Sequence, residues 1–256
     1  MGKQVWRAVV AGGAAAVFTA VAAVPAGAAE GGASFSRVQV NGGKPIVIGT
    51  SKEVAIPASF RVVTTRAWKW GPLVHLYRKN ADDKLWHAIG SSDCPHRVGS
   101  CDIEETLYFD PSEWEMRNSE AGVWKVAGEV YFKDGSKDVD ATGLTVHVKR
   151  NSRLTVNAAP EPVAKGKTIT VTGKVTRANW ETRKYAVYGG RHVSLQFKPS
   201  GSGSGSYTTV KKVYANGSGA LKTTVKASKT GTWRWAYYGN TTTGASMSPG
   251  DHVVVK

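Results

Sequence analysis

Cysteine and long apolar runs are scarce in this 256-residue sequence. After residue 30, no apolar run approaches the roughly 20 residues that a membrane-spanning helix needs. The only cysteines are Cys94 and Cys101 in SSDCPHRVGSCD. In an oxidising compartment such a pair is typical of one local disulfide. A metal site with His96 as a third ligand is the alternative, but structural zinc sites want four ligands. We therefore predict no metal and no transmembrane segment.

Local signatures of catalysis are also missing. No G-x-S-x-G elbow, P-loop or G-x-G-x-x-G occurs, and the six histidines lack H-x-x-x-H spacing. Paired carboxylates could in principle serve a glycosidase. Two clusters lie close in sequence, namely Asp102, Glu104 and Glu105, and Asp110, Glu113 and Glu115. We interpret both as solvated loop faces, so no enzymatic activity and no cofactor is predicted.

The first 29 residues have the pattern of a signal peptide. Lys3 and Arg7 form a positive start, an apolar run follows, and Ala26-Gly27-Ala28 supplies an A-x-A cleavage site. The protein is therefore expected to be secreted and extracellular, with any attachment to the cell wall noncovalent.

Acidic residues are nearly absent from the second half of the chain. From residue 151 to 256 there are 16 basic residues against three acidic ones, whereas residues 30–150 carry 16 of each sign. Two domains, 30–150 and 151–256, fit this asymmetry and usual domain sizes. The boundary falls near KRNSR, where one strand-like run ends and another begins.

Apolar and polar residues alternate with the period of a β-strand in most segments. In the second half this pattern occurs in SRLTVNAA, KTITVTGKVTRA, RHVSLQFKP, YTTVKKVYA, ALKTTVKAS, GTWRWAYYG and DHVVVK. The first half has SRVQV, PIVIG, EVAIPASFRVV, LVHLYRK, LWHAIG, ETLYFD, VWKVAGEVYFK and LTVHVKR, with a hairpin turn at Asp134-Gly135. The predicted fold class is all-β, with two immunoglobulin-like antiparallel β-sandwich domains in tandem after the signal peptide.

The two halves match each other at one place. AGVWKVAGEVY (121–131) aligns with TGTWRWAYYGN (230–240), each just before the last strand of its half. Strand alternation places Trp124, Val126, Gly128 and Val130 on one face, with Lys125, Ala127 and Glu129 on the other. The tryptophan face is expected to be buried. The same register predicts Trp233, Trp235 and Tyr237 inside, and Arg234, Ala236 and Tyr238 outside.

The second half carries a family resemblance in APEPVAKGKTITVTGKVTRANWETRKYAVYGGRHVSLQFKP, GTWRWAYYGNTTT and PGDHVVVK. These stretches, with NGGKPIVIGT and the cysteine pair, resemble a group of secreted two-domain proteins of actinobacteria, of streptomycete type. That group is similar to bacterial immunoglobulin-like repeats and has no assigned reaction. The resemblance implies the fold and a secreted location and leaves the function open. A calcium site is an open question at Asp134, Asp138 and Asp140, which lack the full EF-hand pattern and are more typical of a polar hairpin.

The basic charge of the second half indicates a polyanionic partner. Lysines at alternate positions are expected to project from one sheet face as a patch that includes Lys212, Lys222 and Lys226. The resemblance implies a location outside a Gram-positive cell. The polyanions available there are wall teichoic or teichuronic acid, anionic lipid headgroups and extracellular DNA. A generically basic surface is the competing interpretation. No RRM or KH signature supports sequence-specific recognition of nucleic acid.

Aromatic residues beside cations form a second binding hypothesis. We predict that they lie in B–C type loops at one end of each sandwich, where recognition residues are common. The candidates are Trp180, Arg183, Lys184, Tyr185, Tyr188 and Arg191 in ANWETRKYAVYGGR, with Trp68 and Trp70 in TTRAWKWGP. Arg234 is a further outward-facing candidate. In the alternative interpretation these rings cap the core or fill a domain junction.

The function predicted from these features is noncatalytic association of the basic half with an anionic cell-envelope or extracellular polymer. A protein-interaction or adhesin-like spacer module that uses the aromatic loops is the alternative. A hydrolase is the more distant one.

Overall fold

A computed structural model describes residues 32–79, 84–89, 94, 96–112, 116–201 and 206–256. This part of the chain consists mainly of β-strands, with single 3-10 turns at Asn41–Gly43 and Asn118–Glu120. The all-β prediction is therefore confirmed. Among these residues no helix is long and apolar enough to span a membrane. The predicted signal peptide, residues 1–29, lies outside the described residues.

Seventeen strands occur in the described part of the chain. They are β1 (Ala33–Val40), β2 (Ile46–Ile48), β3 (Val54–Thr64), β4 (Trp68–Tyr77), β5 (Lys84–Ile89), β6 (Gly99–Phe109), β7 (Gly122–Phe132), β8 (Lys137–Arg150), β9 (Ser152–Ala159), β10 (Thr168–Asn179), β11 (Lys184–Val187), β12 (His192–Pro199), β13 (Thr208–Tyr214), β14 (Ala220–Lys226), β15 (Gly231–Tyr237), β16 (Ser246–Met247) and β17 (Asp251–Val253). Every alternating run corresponds to one of these strands. Only β11 and β16 were not predicted, because β16 has two residues and the residues of β11 were assigned to the aromatic loop ANWETRKYAVYGGR.

The chain forms two compact units. The first unit comprises the described residues within Met1–Gly43, Ala55–Tyr108 and Lys125–Thr145. The second comprises those within Lys44–Val54, Phe109–Trp124 and Val146–Lys256. As predicted for KRNSR, β8 ends at Arg150 and β9 begins at Ser152. The domain bounds 30–150 and 151–256 stay a prediction.

In the first unit, β1, β3 and β6 lie side by side, and β5, β4, β7 and β8 continue the same order. Pairing of β5 with β6 joins the two sets. The predicted hairpin between β7 and β8 is confirmed, since the Gly135 N–H donates to the Phe132 carbonyl. Gly135 has a φ of 88°, a conformation that glycine adopts without steric cost.

The second unit contains two antiparallel sheets. Strand β10 is central in one, with β9 on one edge and β14 and β11 in succession on the other. The second sheet runs β13-β12-β15, and β16 and β17 follow one another along the free edge of β15. Without the short strands β11 and β16 the unit has seven strands. The first, second and fifth (β9, β10 and β14) share one sheet, and the fourth, third, sixth and seventh (β13, β12, β15 and β17) share the other. This is the strand order of an immunoglobulin-like sandwich, and the first unit repeats it.

Alternate residues of the two sheets of the second unit face each other and form its core. Trp235 is fully buried, and its indole N–H donates to the Thr172 carbonyl at 2.9 Å. Gly173 makes this packing possible, because a Cβ there would lie 2.7 Å from the Trp235 ring. The surrounding core side chains include Leu154, Ile169, Val171, Val175, Val193, Leu195, Leu221, Trp233, Tyr237 and Val253.

Candidate binding surfaces of the second unit

The aromatic strand β15 is largely a core strand. Trp233, Trp235 and Tyr237 are buried as predicted, Arg234 is half-buried and Tyr238 is 62% exposed. Ala236, which was predicted to point outward, has 0% exposure. It does lie on the outer face, but the Tyr238 hydroxyl accepts a hydrogen bond from Gln196, which is paired with residue 234. The Tyr238 ring must therefore extend back across position 236.

The matching strand of the first half, β7, has the predicted inner face, since Trp124, Val126 and Val130 are buried. On the other face Lys125 is exposed, but Ala127 and Glu129 have 0% exposure, so this face is also largely buried. Strand β7 is central in its sheet, and its Ala127 is paired with the buried His75 of β4. The His75 Nδ1 lies 3.5 Å from the Glu129 Oε2.

The predicted aromatic loops are mostly not loops. Trp180 is 2% exposed, and its indole N–H donates to the Ile48 carbonyl at 3.3 Å, so it is a core residue and cannot stack on a ligand. Trp68 is 3% exposed and lies in β4, where it stacks on His96 at 3.8 Å. Trp70, also in β4, is 44% exposed and packs edge-on against Tyr131. The alternative interpretation as core-capping rings is therefore the correct one for Trp180 and Trp68.

Tyr188 belongs to a buried polar network instead of an exposed platform. Its hydroxyl accepts hydrogen bonds from Asn240 and Thr243 and shares one with Tyr237. The guanidinium of Arg191 lies 4.8 Å from the Tyr188 ring centroid. Burial raises the pKa of Tyr237, which keeps this phenol neutral.

Two further arginines, Arg177 and Arg150, lie in the same region of the second unit. Arg177 stacks on Tyr188 at 4.2 Å. Arg150 is 7% exposed and donates to the Ala178 carbonyl. Burial lowers the pKa of Arg150 to about 10, and the nearby charge of Arg177 adds to this effect. Even so, Arg150 stays cationic at neutral pH.

The remaining loop candidates are polar and accessible. Arg183 and Lys184 are exposed where the chain turns from β10 into β11, and Arg183 has a φ of 54°. Tyr185 is half-buried in β11 and lies under the guanidinium of Arg153, 3.7 Å from its ring centroid. These residues therefore extend the charged surface of the β10 sheet.

The three lysines predicted to share one patch lie on different sheets. Lys222 and Lys226 project from β14 in the β10 sheet. Lys212 lies on β13 of the other sheet, paired with Ser194. The prediction of a single patch is wrong for Lys212, because residues 213–220 carry the chain from one sheet to the other.

Four cations share the outer face of the β10 sheet, and we call this surface the cationic face. Arg153 on β9, Lys174 on β10, and Lys222 and Lys226 on β14 are all exposed. Lys222 is paired with Thr172 and Lys226 with Thr168, so threonines separate the charges. Arg153 and Lys174 were not predicted as site residues, although both lie at polar positions of alternating strands.

A groove lies on the outer face of the opposite sheet, and we call it the tyrosine groove. Its volume is about 510 Å³. Its lining includes Arg191, His192, Ser194, Lys212, Tyr214 and Tyr238. Tyr214 is 64% exposed, and its ring contacts the paired His192 ring at 3.6 Å. Tyr214 and His192 were not predicted as site residues, because neither belongs to a run of aromatic residues.

The carboxylates of the first half are engaged separately. Asp102 lies on β6 and forms a salt bridge with Arg61, which lowers its pKa. Glu105 of the same strand is 6% exposed, so the interpretation of this cluster as a solvated loop face is wrong. It points inward with Ile103 and Leu107 because these residues alternate along β6. Burial raises the pKa of Glu105 to about 8. Asp110 accepts from Ser112, and Glu113 and Glu115 lie outside the described residues.

The three aspartates of the candidate calcium loop accept different hydrogen bonds. Asp134 accepts from Ser136 and pairs with Arg66, while Asp138 and Asp140 accept from the backbone N–H groups of Ala33 and Phe35. Across the described ranges, no group of three His, Cys, Asp or Glu residues is placed to hold a metal ion. Cys94 and Cys101 form the predicted disulfide.

No protein-family model and no curated protein matches the chain. Among solved structures, it is similar to fibronectin(III)-like modules of Clostridium thermocellum CbhA, with 12% identity, 85% of this chain and 92% of that one covered, and a TM-score of 0.31. It is also similar to the D00-D0 domain of Intimin (15% identity, 85% and 99% covered, TM-score 0.29). A third similarity is to the Escherichia coli adhesin FdeC (20% identity, 92% and 66% covered, TM-score 0.29). Similarities of this size carry no weight for function.

Proposed function

We propose that this is a secreted, noncatalytic binding protein whose basic second unit associates with an anionic polymer of the cell envelope or extracellular space. The cationic face is the observation that carries the proposal. Four exposed cations lie on the outer face of one sheet, and residues 151–256 contain only Glu161, Glu181 and Asp251 as acids.

Two of these acids have hydrogen-bond partners within the second unit. Asp251 accepts from the Ala158 N–H at 2.6 Å, and Glu181 accepts from Asn118. Among the described residues, no salt bridge within 4.0 Å involves a basic residue of the second half. Cations without acidic partners attract a polyanion without first breaking an ion pair, and this attraction weakens as salt screens it.

The noncatalytic part of the proposal is supported by the positions of the carboxylates. Asp102 is paired with Arg61, and Glu105 is enclosed in the first unit, where its Oε1 accepts from the Val74 N–H. In the adhesin-like alternative, Trp180 and Trp68 cannot contact a partner because they are buried in the core. Trp70 is the exposed one of these three candidate tryptophans.

Binding of the full secreted chain to purified wall teichoic acid, measured over a salt series, tests the proposal. The triple variant Lys174→Gln, Lys222→Gln and Lys226→Gln is expected to bind about tenfold more weakly, with a shallower salt dependence. The control is Lys69→Gln, Lys79→Gln and Lys133→Gln, which removes the same charge at exposed positions of the first unit. Binding that does not change with salt, or equal losses in both triple variants, would contradict the proposal.

A further inference from the structure

We infer that the tyrosine groove binds a pyranose ring that carries a negative charge, as a subsite for an anionic glycan. The inference deepens the proposed function and rests on it for the sign of the ligand charge. It names the class of polymer, namely a polymer containing acidic sugars.

The groove arises from small residues between large ones. Ser194 of β12 forms part of a low floor, and it is paired with Lys212 of β13 on one side and with the covered Ala236 of β15 on the other. Tyr214 stands on one side of this floor and Tyr238 on the other, with exposures of 64% and 62%. Aromatic rings around a concave surface with a few polar groups are typical of small-ligand sites.

Both tyrosines are held in place by their neighbours. Gln196 donates to the Tyr238 hydroxyl at 3.0 Å and accepts from the Arg234 Nε at 2.8 Å. Arg234 in turn stacks on Tyr207 at 3.7 Å. Tyr214 is fixed by its contact with His192. Aromatic walls that are already ordered lose little conformational entropy when a ligand binds, which favours a binding role.

The chemistry of the lining matches an acidic sugar. The faces of the tyrosine rings carry negative partial charge and attract the polarised C–H groups on the face of a pyranose. Lys212 and Arg191 supply positive charge, while Ser194 and His192 supply hydrogen-bonding groups for hydroxyls. The described residues that line the groove include no carboxylate, so none of them repels an anionic substituent. The volume of about 510 Å³ lies in the range of small-ligand sites, about 300–1,000 Å³.

A sugar fits this groove better than a nucleobase. Single-stranded nucleic acids are bound on several aromatic rings that follow the backbone over many nucleotides. Here backbone turns at Gly190 (φ 67°) and Gly239 (φ 80°) lie at one end, beside Arg191. The space is therefore short and has polar groups along its floor, which suits one hydroxyl-rich ring with its charge beside Arg191.

Titration calorimetry with the full secreted chain tests the inference with three probes: oligogalacturonate, polyphosphate and oligo-dT. Oligogalacturonate has charged pyranose rings, polyphosphate has charge without rings, and oligo-dT has bases. Tyr214→Ala and Tyr238→Ala are each expected to weaken oligogalacturonate binding about tenfold and to leave polyphosphate binding within twofold. Tyr214→Phe is the matched control, which keeps the ring and is expected to bind within threefold of the unchanged protein. Equal unfolding midpoints would show that the variants are folded.

The outcomes separate this inference from the proposed function. Polyphosphate and oligogalacturonate binding that both survive Tyr214→Ala and Tyr238→Ala would overturn the groove and leave the polyanion function standing. Tyrosine-dependent binding of oligogalacturonate, with no difference between the two triple lysine variants in binding to teichoic acid, would support the groove and contradict the function proposed for the cationic face. Tighter, tyrosine-dependent binding of oligo-dT would overturn the glycan assignment in favour of nucleic acid.

Discussion

The two units place very different side chains at equivalent positions of the same strand order. Ala127 and Ala236 correspond in the aligned strands β7 and β15, and their partners across the sheet are His75 and Ser194. Two residues further along, the first unit has Glu129 and the second has Tyr238. His75 and Glu129 are fully buried together, whereas Ser194 and Tyr238 line an open groove. A few differences in side chains therefore decide whether this face of the shared fold holds a buried polar pair or an open groove.

Charge follows the same division. The first unit pairs exposed cations with acids, as in Arg61 with Asp102 and Arg66 with Asp134. In the second unit the cationic face has no acidic residue beside its lysines in the sheet. Equivalent scaffolds therefore support a self-neutralised surface in one unit and an unpaired surface in the other.

The largest difference between the two units is expected in the stability lost when a core side chain is truncated. Trp235→Ala should destabilise the second unit by about 3–5 kcal/mol, because it empties a large buried volume and leaves the Thr172 carbonyl without its indole donor. Val126→Ala, at the aligned position, should destabilise the first unit by about 1–2 kcal/mol, because less apolar volume is lost. Hydrogen exchange with mass spectrometry assigns each loss to its unit. Tyr238→Ala is the control, and a cost as large as that of Trp235→Ala would mean that β15 is not mainly a core strand.

The next largest effect on stability is expected for the buried pair His75 and Glu129 of the first unit. His75→Leu is expected to cost about 3 kcal/mol in urea unfolding, because a buried carboxylate loses its nearby imidazole. The double variant His75→Leu and Glu129→Leu should recover part of the loss, since apolar replacement removes both polar groups. Ser194→Ala, at the equivalent position, is expected to be nearly neutral. A double variant that is less stable than His75→Leu would contradict this account.

The pH dependence of stability should also differ between the units. Glu105 is protonated in the folded first unit up to its raised pKa of about 8, whereas its pKa in an unfolded chain is near 4.5. The folded state therefore holds an extra proton between these values, so this contribution to stability is complete below pH 4.5 and is lost as the pH rises to 8. The unfolding midpoint of the first unit is expected to fall by several degrees from pH 5 to 8 in calorimetry. Glu105→Gln should abolish most of this fall, and an unchanged slope would contradict it.

Much of the fold followed from alternation alone. Strand β9 was predicted with its observed bounds, Ser152–Ala159, because period-2 patterning and flanking turn residues are local properties. The alignment of β7 with β15 correctly placed Trp233 and Trp235 inside, since both belong to one face of one strand.

The binding surfaces were less predictable because they combine strands that are distant in sequence. Lys212 and Lys222 are ten residues apart, yet they lie on different sheets, and no local pattern shows where a chain changes sheet. Tyr214 and Tyr238 meet at one groove only through the pairing of β13, β12 and β15. Trp180 was predicted to lie in a recognition loop because the surrounding segment has the composition of one. In the structure its side chain is buried, and its indole N–H donates to the carbonyl of Ile48, which is distant in sequence.

The smallest expected effect has opposite signs in the two units. Arg61→Gln removes a cation whose Nε donates to Asp102 at 2.8 Å, so it should lower the unfolding midpoint of the first unit slightly at low salt. Lys174→Gln removes a cation from a face that also carries Arg153 and Lys222, so it should raise the midpoint of the second unit slightly by relieving repulsion. Both shifts should shrink in 1 M salt, where the Debye length is about 3 Å. Calorimetry of both variants at low and high salt checks this. Shifts of the same sign would mean either that Asp102 does not stabilise Arg61 or that the neighbouring cations do not repel Lys174.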